Sequence, residues 1–136
     1  MSLVVPNDAE VAVLTYILTP NLSLRLFSNN IVPSATDTVA NYTEVAGGGY
    51  AAKALTFAHW VLTPGGPSVG QYDTQQVWTF TGPTNAPGTI YGYYITRDLD
   101  GKLMWAERFA PGFLPFSPIV GSTVKVTPRF TGDSVY

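Results

Sequence analysis

The sequence predicts an all-β protein: a single antiparallel β-sandwich, jelly-roll or Greek-key like, with one short N-terminal helix. Most of the chain after residue 20 alternates apolar with polar residues, as strands with one buried face do. The 13 glycines and 11 prolines interrupt these segments at nearly regular spacing, which is typical of short antiparallel strands joined by turns. The length of 136 residues fits a single domain, residues 1–136, without an interdomain linker.

The first two elements are predicted to be an N-terminal arm over residues 1–6 and a helix over residues 7–19. Asn7 can cap the helix, and Glu10 follows at the spacing of a capping box. Apolar residues then recur at helical spacing, at Val11, Leu14 and Leu18. Pro20 disfavours a helical conformation of the residue before it, and therefore ends the element.

Residues 22–131 are predicted to form the strands of the sandwich. Residues 98–101, with the sequence DLDG, are the clearest signal for a hairpin turn. Pro128 has no N–H for a central ladder, so it predicts an edge strand or a strand end. The predicted strands cover residues 22–27, 39–45, 50–57, 60–63, 74–81, 89–97, 102–110 and 122–131.

The composition of the chain excludes several classes of function. Seven Lys and Arg against nine Asp and Glu give a net charge of -2, which offers no basic patch for nucleic acid. Cysteine is absent, so disulfides and thiolate metal sites are excluded. No apolar run approaches the roughly 18 residues that a membrane-spanning helix needs, and no signal peptide is recognisable. We therefore expect neither a nucleic-acid partner nor a membrane partner.

The residues that could carry catalysis are few. His59 is the only histidine, and its position in an apolar segment predicts a partly buried structural imidazole. Glu44 and Glu107 are the most plausible carboxylate pair for glycoside cleavage, but nothing in their spacing brings them together. Asp98 and Asp100 resemble the start of a calcium loop without its remaining ligands, which favours a role in turn geometry. We expect no catalytic residue, no cofactor and no metal site.

Aromatic residues on neighbouring predicted strands allow two interpretations. Tyr91, Tyr93 and Trp105 could present their rings at the surface, where aromatic side chains stack on sugars or on bases. The interpretation that we favour is that they form cross-strand aromatic pairs in the core of the sandwich. A groove lined by these side chains would favour the first interpretation, and a packed interior would favour the second.

Two apolar segments are candidates for contacts with other subunits. Residues 109–118 contain three prolines, which forbid a regular central strand, together with several large apolar side chains. Such a segment either folds under a sheet or lies against another chain. The N-terminal arm is also apolar at its start. The candidate contact residues are Leu3, Val4, Val5, Phe113, Leu114 and Phe116.

A succession of short segments resembles that of small tailed-bacteriophage virion proteins. The segments are LRLFSNN (24–30), YTE (42–44), GYAAKAL (49–55), QVWTF (76–80), IYGYY (90–94), LMWAERF (103–109), VG (120–121) and VKVTPRF (124–130). They run from the first predicted strand almost to the C-terminus, in an order that fits the family. Gly121-Ser122 departs from the Gly-Asp expected before the family's last strand, which affects the expected local turn only.

This resemblance implies a structural protein without catalysis, and favours a capsid cement or decoration protein. It further implies the major capsid protein as partner, self-association as a homotrimer, and a place on the capsid surface of the virion after synthesis in the bacterial host cytoplasm. The resemblance does not separate capsid from tail. The alternative is therefore a phage tail or fibre module that binds host carbohydrate through Tyr91, Tyr93 and Trp105.

Overall fold

The computed structural model describes residues 4–114 and 116–131 of the chain. These residues are mostly strands in antiparallel sheets, together with one α-helix, which confirms the predicted class. The elements are α1 (Asn7–Leu18), β1 (Leu22–Phe27), β2 (Lys53–Leu55), β3 (Trp60–Thr63), β4 (Val69–Tyr72), β5 (Gln76–Thr79), β6 (Gly92–Arg97), β7 (Leu103–Arg108), β8 (Thr123–Val126) and β9 (Arg129–Thr131).

The described strands form three open sheets. The largest sheet has the order β2-β1-β6-β7, the second has the order β3-β4-β9, and β5 pairs with β8 in a two-stranded ribbon. Within the described residues, β2 and β7 are the edges of the largest sheet, and β3 and β9 are the edges of the second. An edge strand carries backbone N–H and C=O groups that its own sheet does not use.

The hairpin of β6 and β7, together with β1, forms the centre of the largest sheet. β1 pairs with β6 over six residues, from Leu22 opposite Arg97 to Phe27 opposite Gly92. The expected alternation holds in β1 at Leu22, Leu24 and Leu26, which are fully buried, and ends at Phe27, which is fully buried on the other face. The predicted turn before β7 is also confirmed, and Gly101 within it has a φ of 70°, a conformation that glycine adopts without strain.

The helix lies where the sequence predicts it, but the predicted capping box is wrong. Pro6 is the N-cap in an extended conformation, Asn7 is the first helical residue, and no side chain caps the first turn. Glu10 is buried, with an exposure of 5%. Its Oε2 accepts a hydrogen bond from the backbone N–H of Ser68 at 3.4 Å, which ties the helix to the chain before β4.

The strand predicted over residues 39–45 is wrong. A 3-10 turn occupies Val39–Asn41, with Thr38 and Asn41 capping it reciprocally. In this segment only Glu44 forms a β-bridge, with Phe27. Short polar side chains offer the backbone local hydrogen bonds that compete with a sheet ladder, and here the local bonds prevail.

The last predicted strand, residues 122–131, is two strands. β8 pairs with β5 and β9 pairs with β4, so the chain changes sheet around Pro128, the predicted strand end.

β4 was not predicted, because Gly70 and Gln71 interrupt the apolar alternation. A Cβ at Gly70 would lie 2.5 Å from Leu18 Cδ1, so glycine makes room there for the helix. The strands predicted over residues 50–57, 74–81, 89–97 and 102–110 are also present, and each is shorter than predicted. They are β2, β5, β6 and β7.

Four aromatic residues connect the largest sheet to the second; we call them the aromatic junction. The ring of Trp105 in β7 lies 4.6 Å from that of Phe130 in β9 and 6.1 Å from that of Trp60 in β3. Trp60 in turn meets the ring of Tyr72 in β4 edge-on at 5.0 Å. These contacts hold the edge strands β7 and β9 beside each other.

Candidate functional site

The proline-rich segment, residues 109–118, combines a buried anchor with an exposed ring. The N–H of Ile90 donates to the carbonyl of Phe116 at 2.8 Å, and the half-buried Phe116 packs against the main core. Pro111–Phe113 form a 3-10 turn that leaves the Phe113 side chain 42% exposed, while Leu114 is half-buried. The segment therefore folds back on the sheet at one end and faces solvent at its turn.

Three rings of this segment contact one another in series, and we call them the Phe ladder. Phe109 meets Phe113 edge-on at 5.1 Å, and Phe113 stacks on Phe116 at 4.9 Å. A cavity of about 380 Å3 lies beside the ladder, with Thr123, Val124 and Lys125 of β8 as its other wall. An exposed aromatic ring beside a recess is the kind of feature that anchors protein–protein contacts.

The turn that follows the proline-rich segment exposes two more aliphatic side chains, which were not predicted as contact residues. Ile119 is 66% exposed and Val120 is 75% exposed. Hydrogen bonds between Ile119 and Ser122, in both directions at 3.0 Å, close the turn, and Gly121 within it has a φ of 84°. The glycine directly after the apolar pair was the sequence signal that the pair sits on a turn.

The N-terminal arm is described only in part. Val4 is 79% exposed and Val5 is half-buried. Leu3, the third predicted contact residue of the arm, lies outside the described residues. The exposure of Val4 leaves its predicted role in subunit contact open to test.

The structure brings together two of the three residues predicted to bind carbohydrate. Tyr93 and Trp105 line a cavity of about 550 Å3, together with Ala106, Glu107, Arg129, Phe130 and Thr131. Tyr93 is only 5% exposed, however. Burial raises the pKa of Tyr93 to about 12, and the negative charge of Glu107 adds to the shift.

Tyr91 does not belong to that cavity. It packs with a separate aromatic cluster that contains Phe27, Tyr42 and Tyr94. The guanidinium of Arg108 lies 5.1 Å from the centre of the Tyr91 ring, which is the geometry of a cation–π contact. Tyr91, Tyr93 and Trp105 therefore do not line a single groove.

Glu44 and Glu107 lie on opposite faces of the largest sheet. Arg25 Nη1 donates to both carboxylate oxygens of Glu44, at 2.9 and 3.0 Å, and the Tyr50 hydroxyl donates to Oε2 at 2.7 Å. Arg25 lies on the side of β1 opposite to that of Leu24 and Leu26, which belong to the main core. Glu107 pairs with Tyr93 and shares its core-facing side. Because the sheet separates them, these carboxylates do not flank one glycosidic bond.

His59 is predicted to lie in a strand, and that placement is wrong; its side chain is 51% exposed. It ends a 3-10 turn, Phe57–His59, before β3 begins. Its Nδ1 lies 3.0 Å from Asp73 Oδ1. Hydrogen bonds from the Thr74 hydroxyl and from His59 hold the pKa of Asp73 below its ordinary value. Among the described residues no hydroxyl is hydrogen-bonded to His59, as a serine nucleophile would be.

The acidic residues of the turn before β7 make hydrogen bonds that stabilise the turn. Asp98 accepts a hydrogen bond from the Ser23 hydroxyl at 2.6 Å, and Asp100 accepts one from Arg97 Nε at 3.0 Å. The Arg97 guanidinium lowers the pKa of Asp100 to about 2.

In residues 4–114 and 116–131 no three His, Cys, Asp or Glu side chains gather where they could hold a metal ion. Over the same ranges, no helix is long and apolar enough to cross a membrane.

The described surface thus offers apolar contact features more readily than a reactive cluster. Comparison of the chain with protein-family models, with curated proteins and with solved structures finds no match.

Proposed function

We propose that the protein is a non-enzymatic structural component of a tailed-bacteriophage virion, a cement or decoration protein that stabilises the head shell by bridging its subunits. The observation that carries the proposal is the Phe ladder, with Phe113 42% exposed on a 3-10 turn. Ile119 and Val120, close behind it in the chain, add apolar surface. The resemblance to small phage virion proteins, based on the segments quoted above, supplies the choice of partner.

Apolar burial provides the driving force in this proposal. Full burial of a phenylalanine side chain contributes roughly 1.5–3 kcal/mol, so covering the exposed part of Phe113 contributes about 1 kcal/mol at each interface. Interactions of that size are weak singly. When linked subunits repeat these contacts around a shell, the contacts act together. Binding of one subunit raises the effective concentration of the next. Charged residues make up only 12% of the chain, and a surface with few charges suits interfaces that form by apolar burial.

The proposed partner is the major capsid protein, and the proposed assembly is a homotrimer on the capsid surface. The exposed Val4, with Val5 and Leu3, is a second proposed contact. In this proposal the open antiparallel sheets are the layers of a β-sandwich of jelly-roll or Greek-key type. The aromatic junction supports two packed layers, since it joins faces and edges of the largest and second sheets.

The test is a binding assay with head shells of the phage that encodes the protein, assembled without it. We expect Phe113→Ser to weaken binding about fivefold for each Phe113 ring that a bound molecule buries, which corresponds to about 1 kcal/mol. Phe57→Ser is the matched control, because Phe57 is also a phenylalanine in a 3-10 turn, with 39% exposure. Equal binding of the wild type and both variants would refute the Phe ladder as the interface, and absence of wild-type binding would refute the cement role.

A second candidate is the tail or fibre module that binds carbohydrate. The cavity of about 550 Å3 lined by Tyr93 and Trp105 favours it, because a carboxylate and a guanidinium, from Glu107 and Arg129, lie in the same wall. The burial of Tyr93 argues against it, since little of that ring is open to stacking. Binding to immobilised host glycans that is abolished in Arg129→Ala would support this candidate over the first.

A further inference from the structure

The edge of β7 that borders the cavity beside β9 points to a binding site for an extended polypeptide: we propose that a strand of a partner protein adds to β7 at this edge. The inference deepens the proposed function by naming a mode of contact, and it rests on that function for the choice of a protein partner. Its basis is the backbone of β7, which is separate from the Phe ladder.

Within the described residues, the hydrogen-bond ladder leaves the outer edge of β7 unpaired. The N–H of Phe109 donates to the carbonyl of Tyr91 at 2.9 Å, and the register pairs Glu107 with Tyr93 and Trp105 with Ile95. In an antiparallel pair the hydrogen-bonded positions alternate. The backbone groups of Ala106 and Arg108 therefore point away from β6. Among the described residues these groups have no hydrogen-bond partner.

A cavity lies next to this edge. The cavity of about 550 Å3 has β7 on one side and β9 on the other, with Trp105 and Phe130 between them. The buried indole N–H of Trp105 has no acceptor with hydrogen-bond geometry among the described residues. It lies near enough to the Tyr93 hydroxyl to oppose part of the rise in that group's pKa. The wall of the cavity thus contains a residue with a polar group that the described residues leave without a partner.

The residues that line the cavity indicate what kind of ligand would bind there. A row of unused backbone donors and acceptors is matched by another backbone, which is the basis of recognition by strand addition. A saccharide would need an open ring face, whereas Tyr93 is 5% exposed and Trp105 is packed against Phe130. Side chains alternate along a strand. We therefore expect a segment with apolar residues at every second position, facing Trp105 and Phe130, and no net charge, because Glu107 and Arg129 offer one charge of each sign.

The experiment selects peptide ligands and maps where they bind. A displayed library of random heptapeptides is panned against the intact chain, and the recovered peptides are synthesised and titrated. Backbone N-methylation is then applied at each position of the tightest peptide in turn. Strand addition predicts that methylation at every second position weakens binding at least tenfold, while the positions between tolerate it. It also predicts that the amides of Ala106 and Arg108 exchange with solvent at least tenfold more slowly when the peptide is bound.

Two proline variants of the protein provide the control. Ala106→Pro removes an N–H that points away from β6, so the hairpin keeps its hydrogen bonds and peptide binding falls at least tenfold. Val77→Pro, on the outer edge of the β5-β8 ribbon, should leave peptide binding unchanged. If Ala106→Pro does not fold, the N-methyl series decides alone.

Three outcomes would overturn the inference: no peptide recovered, protection of amides elsewhere than β7, or no alternation in the N-methyl series. Displacement of the bound peptide by soluble host glycan would also favour the carbohydrate candidate. None of these results depends on head shells, so strand addition and the cement role can fail separately.

Discussion

Tyr50 illustrates how single residues connect parts of this protein that are distant in sequence. Its hydroxyl donates to Glu44 Oε2 at 2.7 Å and accepts a hydrogen bond from the N–H of Leu26 at 3.2 Å, while its ring stacks on Trp78 at 6.3 Å. Burial raises the pKa of Tyr50 well above its ordinary value, and the hydrogen bond to Glu44 adds to the effect. Arg25 completes the network by binding both oxygens of Glu44.

We predict that Tyr50→Phe lowers the free energy of unfolding by about 1–2 kcal/mol, because a buried N–H and a carboxylate are each deprived of a partner. Tyr16→Phe is the control, since Tyr16 is 75% exposed and should change stability by less than about 0.5 kcal/mol. Urea unfolding monitored by tryptophan fluorescence measures both. Equal midpoints for the two variants would contradict the proposed network.

Residue roles were only partly predictable from the sequence. The exposed Phe113 was a candidate because large apolar residues next to prolines cannot all enter a strand. The exposure of His59 was not predictable, because an imidazole in an apolar run is equally compatible with a strand and with the turn that precedes it. Tyr91 and Tyr93 have the spacing of one strand face, yet they belong to different clusters, since Tyr91 lies just outside β6.

At the scale of elements, β6 carries the largest sheet. It pairs with β1 on one side and β7 on the other, and its residues from Gly92 to Thr96 are all buried. Gly92 lies between β1 and β7, opposite Phe27 on one side and Arg108 on the other. A Cβ there would collide with the carbonyl oxygen of Glu107 and would stand 2.6 Å from the ring of Phe27.

We predict that Gly92→Ala destabilises the protein by about 3 kcal/mol, because the backbone of β7 and a fully buried ring cannot both move away. Gly82→Ala is the matched control, since nothing lies within 4 Å of the position that its Cβ would take and its backbone φ is not positive. Chemical unfolding of both variants gives the comparison. A destabilisation of less than about 1 kcal/mol for Gly92→Ala would show that the strands separate more easily than this close approach implies.

Most elements were predictable from local signals, and their partners were not. The helix, β1, β3 and the β6–β7 hairpin follow from apolar period and turn residues within a few positions. β4 was missed because its glycine is required by the helix packed on it, which no local pattern reveals. The division of the last strand at Pro128 was foreseeable as a strand end, but the assignment of β8 and β9 to different sheets was not.

At the scale of the whole molecule, low charge and exposed apolar side chains coexist. The net charge is -2, and the most exposed large apolar residues include Val4 at 79%, Leu99 at 85% and Val120 at 75%. Single exposed apolar residues are ordinary on a monomer. Held on separate turns and on the arm, they would allow one molecule to bind several neighbours, as the proposed cement role requires.

We predict that light scattering after size exclusion gives about three times the 14.6 kDa chain mass. Because apolar contacts are insensitive to screening, the trimer should persist in about 1 M salt, where charge pairs are screened beyond roughly 3 Å. A monomer at all concentrations would contradict preassembly and leave association to the shell itself. A larger closed ring would favour a place in the tail.

The sequence by itself determined the β-rich class, the single helix, the hairpin before β7 and the apolar segments that are candidates for subunit contact. Each of these depends on residues that are near neighbours along the chain, where period, proline and glycine act directly on the backbone. Only the tertiary structure decided the sheet order, the separation of Glu44 from Glu107 by the largest sheet, and the meeting of β7 with β9. Those features depend on which distant strands bury each other's apolar faces, and many pairings satisfy the same local pattern.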